Sequence, residues 1–264
     1  MVQKKGIYTV ITGASSGIGY ETAKAFAARG KNLIVVARRQ NNLESLKEEI
    51  IQKYPMLDIV VKVTDLSILE NVYQLYADLN GYSLETWINN AGFGNYDCVA
   101  QQNLKKIETM LHLNVEALTI LSSLFVRDYK DVEGTQLINI SSCGGYTIVP
   151  TAITYCATKF YVSTFTEGLA RELKESGAKM QAKVLAPAAT KTEFGKVANN
   201  VNEYNYDKLF GTYHTSKQMA AFLMDLYDSD KIVGAVDRET FIFKLCDPMF
   251  AYAGNSTHNQ KSSK

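Results

Sequence analysis

The sequence predicts an α/β fold in which a parallel β-sheet carries helices on both faces. Three observations predict it: short apolar runs alternate with longer segments of helical periodicity, a glycine-rich turn follows the first run, and no internal repeat divides the 264 residues. Strands that alternate with helices are typical of βαβ units, whose crossover helices cover both faces of the sheet. We therefore expect a single domain over residues 1–264.

The predicted elements follow one another in the order that this fold requires. We expect strands at residues 7–12, 33–37, 59–63, 86–89, 136–140 and 179–186. We expect helices at residues 18–29, 41–54, 67–79, 104–129, 152–175 and 217–227. Gly30 and Pro55 end the first two helices, because glycine favours the position after a helix and proline cannot continue one. Thr215 or Ser216 is expected to cap the last helix.

The composition argues against several classes of function. The formal net charge is +1, so no field of one sign would attract nucleic acid or an anionic membrane. The four cysteines form no CxxC pair and the three histidines are scattered, which argues against a metal site and a disulfide framework. The apolar run at residues 7–11 is too short for a signal peptide, and we expect no segment long enough to span a bilayer. These patterns indicate a cytoplasmic protein with reduced thiols.

A glycine-rich turn lies between the first predicted strand and the first predicted helix. Residues 12–19 read TGASSGIG, with the glycines spaced as GxxxGxG. Glycines let the backbone approach a pyrophosphate closely, and the N-terminus of the following helix attracts the same anion. An ordinary glycine-rich turn is the alternative, but the strand before it and the helix after it favour a dinucleotide site. The cofactor contacts predicted in this turn are Gly13, Ser15, Ser16, Gly17, Ile18 and Gly19.

The residues after the second strand predict NADP(H) as the cofactor. NAD sites usually place an acid about 20 residues past the glycine-rich turn, where it binds the ribose 2′-hydroxyl. Here the strand is followed by Arg38 and Arg39, and no acid lies between Lys31 and Asn42. A guanidinium suits a 2′-phosphate, and Ser15 can add a hydroxyl. The alternative is that both arginines are solvated loop charges.

A serine, a tyrosine and a lysine form the predicted catalytic group. Ser142 follows the fifth strand, and Tyr155 and Lys159 are four residues apart on the next predicted helix, so their side chains share one face. Carbonyl reduction needs an acid that protonates the oxygen as hydride reaches the carbon. A neighbouring ammonium should lower the pKa of the phenol, which is about 10 in a free tyrosine. Ser142 can hydrogen-bond the substrate oxygen.

Four motifs together resemble the short-chain dehydrogenase/reductase family in its single-domain form. They are TGASSGIG at 12–19, NNAG at 89–92, Ser142, and YCATK at 155–159, and they occur in the family's order over most of the chain. The resemblance implies a Rossmann-type, doubly wound sheet in three α/β/α layers. It also implies that Tyr155 is the acid/base, that Lys159 holds the nicotinamide ribose, and that Ser142 orients the substrate.

The same resemblance assigns further residues to the site. Asn114 matches the family's asparagine that is thought to hold a water in a proton relay, and Asp65 matches the residue beside the adenine. The remaining implied cofactor contacts are Asn90, Ala91, Gly92, Pro187, Thr190 and Thr192. Ala188 departs from the family pattern, which has glycine there, and is acceptable if its backbone φ is negative. Each residue alone also fits a structural role, Ser142 as a turn cap and Asn114 as a buried polar residue.

Residues 190–215 lose periodicity and are predicted to form a lid over the substrate. Aromatic side chains in this segment suggest an apolar or aromatic carbonyl, whereas His214 is expected to be solvated. Residues 254–264 are predicted to be a flexible tail.

The function predicted from all these features is NADP(H)-dependent interconversion of a carbonyl and an alcohol by hydride transfer, without a metal. A catalytically silent NADP(H)-binding regulatory or scaffolding protein is the alternative, and an epimerase or dehydratase usually needs a longer substrate region. By analogy with the family, segments 104–129 and 152–175 are expected to form a homodimer or homotetramer.

Overall fold

The computed structural model of the chain describes residues 5–254 and confirms the predicted α/β architecture. An eight-stranded sheet lies between two layers of helices. Apart from Gly254, the predicted tail at 254–264 lies outside the described residues.

Most of the helices and strands lie where the sequence predicts them. The strands are β1 Lys5–Thr12, β2 Asn32–Ala37, β3 Ile59–Val63, β4 Tyr82–Asn89, β5 Gln136–Ile140, β6 Gln181–Ala186, β7 Thr190–Lys191, β8 His214–Thr215, β9 Val233–Val236 and β10 Phe243–Cys246. The helices are α1 Gly17–Ala27, α2 Gln40–Lys53, α3 Leu69–Asp78, α4 Leu104–Leu111, α5 Leu118–Tyr129, α6 Ile153–Glu175, α7 Phe194–Asn199, α8 Tyr206–Leu209 and α9 Ser216–Asp228. The sequence missed β9 and β10.

The strand order places a ligand site at the centre of the sheet. The order is β10-β9-β6-β5-β4-β1-β2-β3, and the neighbours are parallel except for the antiparallel pair β9 and β10. After β1 the chain builds outward to β2 and β3, and then returns to place β4 on the other side of β1. Open α/β sheets bind ligands at the carboxyl ends of strands at such a reversal of direction.

Each face of the sheet carries its own buried core. On one face Phe26 of α1 and Leu223 of α9 are fully buried against the sheet. On the other face Trp87 of β4 and Phe125 of α5 are fully buried. Each such side chain contributes roughly 1.5–3 kcal/mol by leaving water, so both helix layers are held firmly to the sheet.

The predicted helix at 104–129 is present but locally widened. A π-helical segment, His112–Ala117, joins α4 to α5. The stretch Leu104–Tyr129 is long and apolar enough to span a membrane by length and composition, so the expectation that no segment has this length was wrong. Its buried residues include Met110 and Phe125, which pack inside the protein, whereas Leu104 and Leu111 are exposed.

Lys183 ties the sheet to the end of a helix. This lysine of β6 is 1% exposed, and its Nζ donates to the carbonyl oxygens of Leu226, Tyr227 and Ser229 at 3.1, 3.0 and 2.7 Å. The last carbonyls of a helix have no partner within the helix. Lys183 therefore adds hydrogen bonds at the C-terminal end of α9, beside those from Ser229 and Gln136.

Candidate active site

A cavity of about 750 Å³ opens at the carboxyl ends of the central strands. Its walls come from the turns after β1, β2, β4, β5 and β6 and from α6. All the predicted site residues line it except Gly19 and Asn114. The predicted residues come together because the carboxyl ends of parallel strands meet at one edge of the sheet.

The glycine-rich turn has the shape that a phosphate cradle requires. Gly13 and Gly17 have φ of +67° and +60°, values that residues other than glycine rarely adopt. A Cβ on Gly13 would lie 2.8 Å from the Cα of Ala91, and one on Gly19 would lie 2.5 Å from the carbonyl oxygen of Gly13. Gly19 therefore acts by close packing behind the turn. The side chain of Ser16, the N-cap residue of α1, does not hydrogen-bond the first N–H groups of the helix. These N–H groups can therefore bind a dinucleotide pyrophosphate.

Asn90 fixes the turn after β4 to the glycine-rich turn. Its Nδ2 donates to the carbonyl oxygens of Thr12 and Gly13 at 3.0 and 3.2 Å. The Thr12 hydroxyl oxygen accepts from the backbone N–H groups of Asn90 and Ala91 at 3.0 and 3.1 Å. Asn89, by contrast, is buried and bonds to Ser122, Asn139 and Trp87, so it belongs to the core.

Both predicted arginines lie beside the cavity and pair with carboxylates. Arg39 Nη2 lies 2.8 Å from Glu193 Oε2 and donates to Ser15 Oγ and Ser16 Oγ at 3.1 and 2.7 Å. Arg38 Nη1 lies 3.8 Å from Asp65 Oδ2.

Asp65 is charged despite its surroundings. Burial works to raise the pKa of Asp65, but hydrogen bonds from Ser67 and the charge of Arg38 hold that pKa below its usual value. The two arginines thus form a positive rim whose charges face carboxylates of the same chain.

Tyr155 and Lys159 lie together on α6, as their spacing predicts. Both are buried, and Lys159 Nζ lies 5.9 Å from the centroid of the Tyr155 ring. Nζ donates to the carbonyl oxygen of Ile140 at 2.8 Å, and burial lowers the pKa of Lys159 to about 8. A Cβ on Gly92 would lie 3.6 Å from this nitrogen, so the turn after β4 passes close to Lys159.

The pKa of the Tyr155 phenol is not lowered, contrary to the sequence-based expectation. Burial raises it above its usual value, and the neighbouring Tyr96 adds to the rise, while a hydrogen bond with Ser142 opposes it. The rings of Tyr96 and Phe194 lie 6.5 and 5.3 Å from that of Tyr155. These rings exclude water from the Tyr155 hydroxyl and so disfavour the phenolate.

Ser142 both caps a turn and lies beside Tyr155. Its hydroxyl oxygen accepts from the N–H of Gly144 at 3.0 Å and so caps the turn after β5. The same hydroxyl faces Tyr155. The adjacent Ser141 donates to the carbonyl oxygen of Lys159 at 2.9 Å, which fixes the turn to α6 and holds Ser142 near Tyr155.

Asn114 lies in the π-helical segment, behind the cavity wall. Its Nδ2 donates to the carbonyl oxygen of Phe93 at 2.9 Å and to Thr158 Oγ1 at 3.2 Å, and its Oδ1 accepts from the N–H of Phe93 at 3.2 Å. π-Helical turns occur often at functional sites. Here the side chain fixes the loop after β4 against α6, the buried structural role that the sequence left open.

The segment after β6 follows the predicted path. Ala188 is not among the residues of positive φ, so the missing glycine causes no strain. Pro187 and Thr190 line the cavity. Thr192 accepts from the N–H of Phe194 at 3.1 Å, and its Cγ2 lies 3.1 Å from the position of a Cβ on Gly17. The start of the lid therefore lies directly over the glycine-rich turn.

The predicted lid, residues 190–215, is more ordered than the sequence suggests. It contains α7 and α8, and β7 pairs with β8 at its two ends. His214 is buried and packs against Phe222 and Phe241, so the expectation that it is solvated was wrong. Thr215 caps α9 in a capping box with Gln218, as predicted.

Several cavity residues carried no signal in the sequence. Phe93, Tyr96 and Val149 line the cavity from loops after β4 and β5, and Arg238 and Phe241 reach it from the turn between β9 and β10. Phe241 has φ of +55°, in the region that favours glycine. These residues lie in irregular segments, where no periodicity indicates which side chain faces a ligand.

Among residues 5–254 the cysteines are unpaired and no group of side chains could hold a metal ion. Cys98, Cys143, Cys156 and Cys246 carry free thiols. Within residues 5–254, no three side chains of His, Cys, Asp or Glu form a group that could hold a metal ion.

The fold and the site together define a dinucleotide-binding α/β protein with a buried tyrosine–lysine pair beside the cofactor cleft. The sequence model of the short chain dehydrogenases matches residues 8–203. Human dehydrogenase/reductase SDR family member 11 is 30% identical over 215 residues, which are 79% of this chain and 81% of that protein. The chain belongs to the short-chain dehydrogenase family and is an NAD(P)-dependent oxidoreductase of alcohol and carbonyl groups.

Two solved structures show the same fold. A short-chain dehydrogenase from Sphingobium yanoikuyae in complex with NADPH has a TM-score of 0.79 and 27% identity, and the match covers 86% of this chain and 87% of that one. The bulky-bulky ketone specific alcohol dehydrogenase from Comamonas testosteroni has a TM-score of 0.74 and 27% identity, and the match covers 86% and 85% of the two chains.

Proposed function

We propose that the protein uses NADP(H) to interconvert a ketone or aldehyde and its alcohol, with Tyr155 as general acid and base. One observation carries the proposal: Tyr155, Lys159 and Ser142 line the same cavity as the glycine-rich turn and Arg39. An acid–base group is thus built into the wall of the cofactor site, and cellular NADPH favours the direction of reduction.

The preference for NADP(H) rests on the donors beside the glycine-rich turn. Arg39 and the hydroxyls of Ser15 and Ser16 form one hydrogen-bonded group at the end of β2. A guanidinium with neighbouring hydroxyls suits a phosphate dianion far better than a neutral hydroxyl. The similar Sphingobium protein was solved with NADPH, which supports the same choice.

The side chains of this site can hold the reactants and move one proton. The nicotinamide, when bound, supplies or accepts the hydride. The Tyr155 hydroxyl donates its proton to the carbonyl oxygen, and the Ser142 hydroxyl hydrogen-bonds the same oxygen as negative charge develops there. Lys159 would hold the nicotinamide ribose. In the reverse direction Tyr155 takes the proton from the alcohol.

The shape of the cavity favours a bulky apolar carbonyl compound. Aromatic side chains from the lid and the neighbouring loops line it, namely Phe93, Tyr96, Phe194, Tyr204, Tyr206 and Phe210. Large apolar rings bind apolar groups of matching size. The name of the Comamonas relative, specific for bulky-bulky ketones, agrees with this proposal.

The experiment that tests the proposal is a carbonyl screen with NADPH consumption as readout. Tyr155→Phe should reduce turnover by at least 10²-fold, because a positioned acid contributes roughly 10²–10⁴-fold, and should retain NADPH binding measured by fluorescence. Tyr161→Phe is the matched control, since Tyr161 lies on the same helix, is 38% exposed and does not line the cavity. Wild-type turnover by Tyr155→Phe would refute the assigned role. Tight NADPH binding without turnover of any substrate would favour the silent binding protein instead.

A further inference from the structure

Glu193 of the lid lies in an anion site formed by Arg39 and the glycine-rich turn. Its Oε2 is 2.8 Å from Arg39 Nη2, and Ser16 also hydrogen-bonds this carboxyl group. The hydrogen bond from Arg39 is the largest cause that lowers the pKa of Glu193, so the group is a carboxylate at neutral pH. The donors that surround it are those that the proposed function gives to the cofactor's 2′-phosphate.

The position of Glu193 is linked to the substrate side of the cavity. Glu193 is the N-cap residue of α7, and the next residue, Phe194, packs its ring 5.3 Å from that of Tyr155. On its other side, Thr192 lies against Gly17. The segment Thr192–Glu193–Phe194 therefore crosses from the glycine-rich turn to Tyr155, and a shift of Glu193 must shift the start of α7.

We infer that Glu193 helps determine cofactor choice: it competes with the 2′-phosphate of NADP(H) for Arg39, and this competition couples the 2′-phosphate to the position of the lid. The inference rests on the proposed dinucleotide site. Donors that bind a carboxylate also bind a phosphate, and two anions within a few ångströms repel each other. NADP(H) therefore displaces Glu193, whereas NAD(H), which lacks the 2′-phosphate, leaves the bridge to Arg39 intact.

The test is a binding cycle with NADP⁺ and NAD⁺, which differ only in the 2′-phosphate. Dissociation constants are measured by calorimetry for wild type, Glu193→Gln, Arg39→Gln and the double variant. Glu193→Gln should bind NADP⁺ up to about fivefold more tightly, the size expected for an exposed ion pair, and should bind NAD⁺ as wild type does. In the Arg39→Gln background the same substitution should have a smaller effect on NADP⁺ binding, because only the direct repulsion between Glu193 and the 2′-phosphate is then relieved. Glu203→Gln is the control, since this exposed lid carboxylate does not line the cavity.

The second readout is hydrogen exchange of the backbone amides of α7. NADP⁺ should increase exchange there relative to NAD⁺, and Glu193→Gln should abolish the difference. Unchanged or weaker NADP⁺ binding by Glu193→Gln overturns the competition, and equal exchange with both nucleotides overturns the coupling to the lid. Failure of the wild-type protein to bind either nucleotide would instead contradict the proposed function.

Discussion

The pKa of Tyr155 is raised by burial, although Lys159 lies beside it on the same helix. Its spacing from Lys159 was predicted from the sequence, because residues four apart share a helix face. The rings of Tyr96 and Phe194 that bury it come from the loop after β4 and from the start of α7, and no periodic pattern in the sequence points to them. Sequence therefore predicted which residues meet at the site, and the structure was needed for the direction of the pKa shift.

This direction predicts the pH dependence of the proposed reaction. Because the pKa of Tyr155 is raised above 10, the phenol keeps its proton through the neutral range, the form that carbonyl reduction needs. Alcohol oxidation needs the deprotonated form, so its rate constant should rise continuously from pH 7 to about 10. Single-turnover rates measured in both directions against pH test this. A plateau of the oxidation rate near pH 7 would contradict it.

At the scale of elements, Lys183 shows how a buried lysine can donate hydrogen bonds to the carbonyl oxygens at a helix end. Lys183 is an exception to the apolar pattern of the buried residues in β6. Its partners on and after α9 lie 43 to 46 residues further along the chain, a separation that sequence patterns do not resolve. The strand itself was predicted correctly, whereas its link to α9 was not.

Replacement of Lys183 by methionine should destabilise the fold. Methionine keeps most of the apolar stem but removes the three hydrogen bonds that Lys183 donates at the end of α9, at a cost of about 1–3 kcal/mol. Urea unfolding measures the change in free energy. Lys179→Met is the control, because the Lys179 side chain is 59% exposed and should change stability by less than about 0.5 kcal/mol. Equal stabilities of both variants would contradict the capping role.

For the whole molecule, the alternation of strands and helices predicted six strands of the sheet and their parallel direction. The last two strands were missed for physical reasons. β9 has four residues with a glycine among them, and β10 is a short antiparallel edge strand, so neither has the length or alternation that identifies a strand. Their turn carries Arg238 and Phe241 into the cavity, and the site prediction was incomplete at the same place.

Exposed apolar side chains on α4 and α6 predict self-association. Leu104, Leu111, Ile153 and Tyr161 are 71%, 40%, 50% and 38% exposed, and they lie on α4 and α6, the segments that the family resemblance assigns to an interface. Covering this surface removes apolar area from water, so we propose a homodimer or homotetramer. Light scattering after size exclusion should give a multiple of the 29.4 kDa chain mass. Leu104→Glu with Leu111→Glu should shift it towards one chain, and a monomeric wild type would contradict the proposal.

The strand order also has a consequence for synthesis on the ribosome. In the centre of the sheet Val10 pairs with Trp87, although β2 and β3 are translated between them. Until residue 89 emerges from the exit tunnel, β1 has a partner on one side only, and its other edge presents unpaired N–H and C=O groups. Such an edge can add strands from other nascent chains. While residues 64–89 emerge from the tunnel, this polypeptide is therefore exposed to aggregation at the open edge of β1, and a chaperone bound there would protect it.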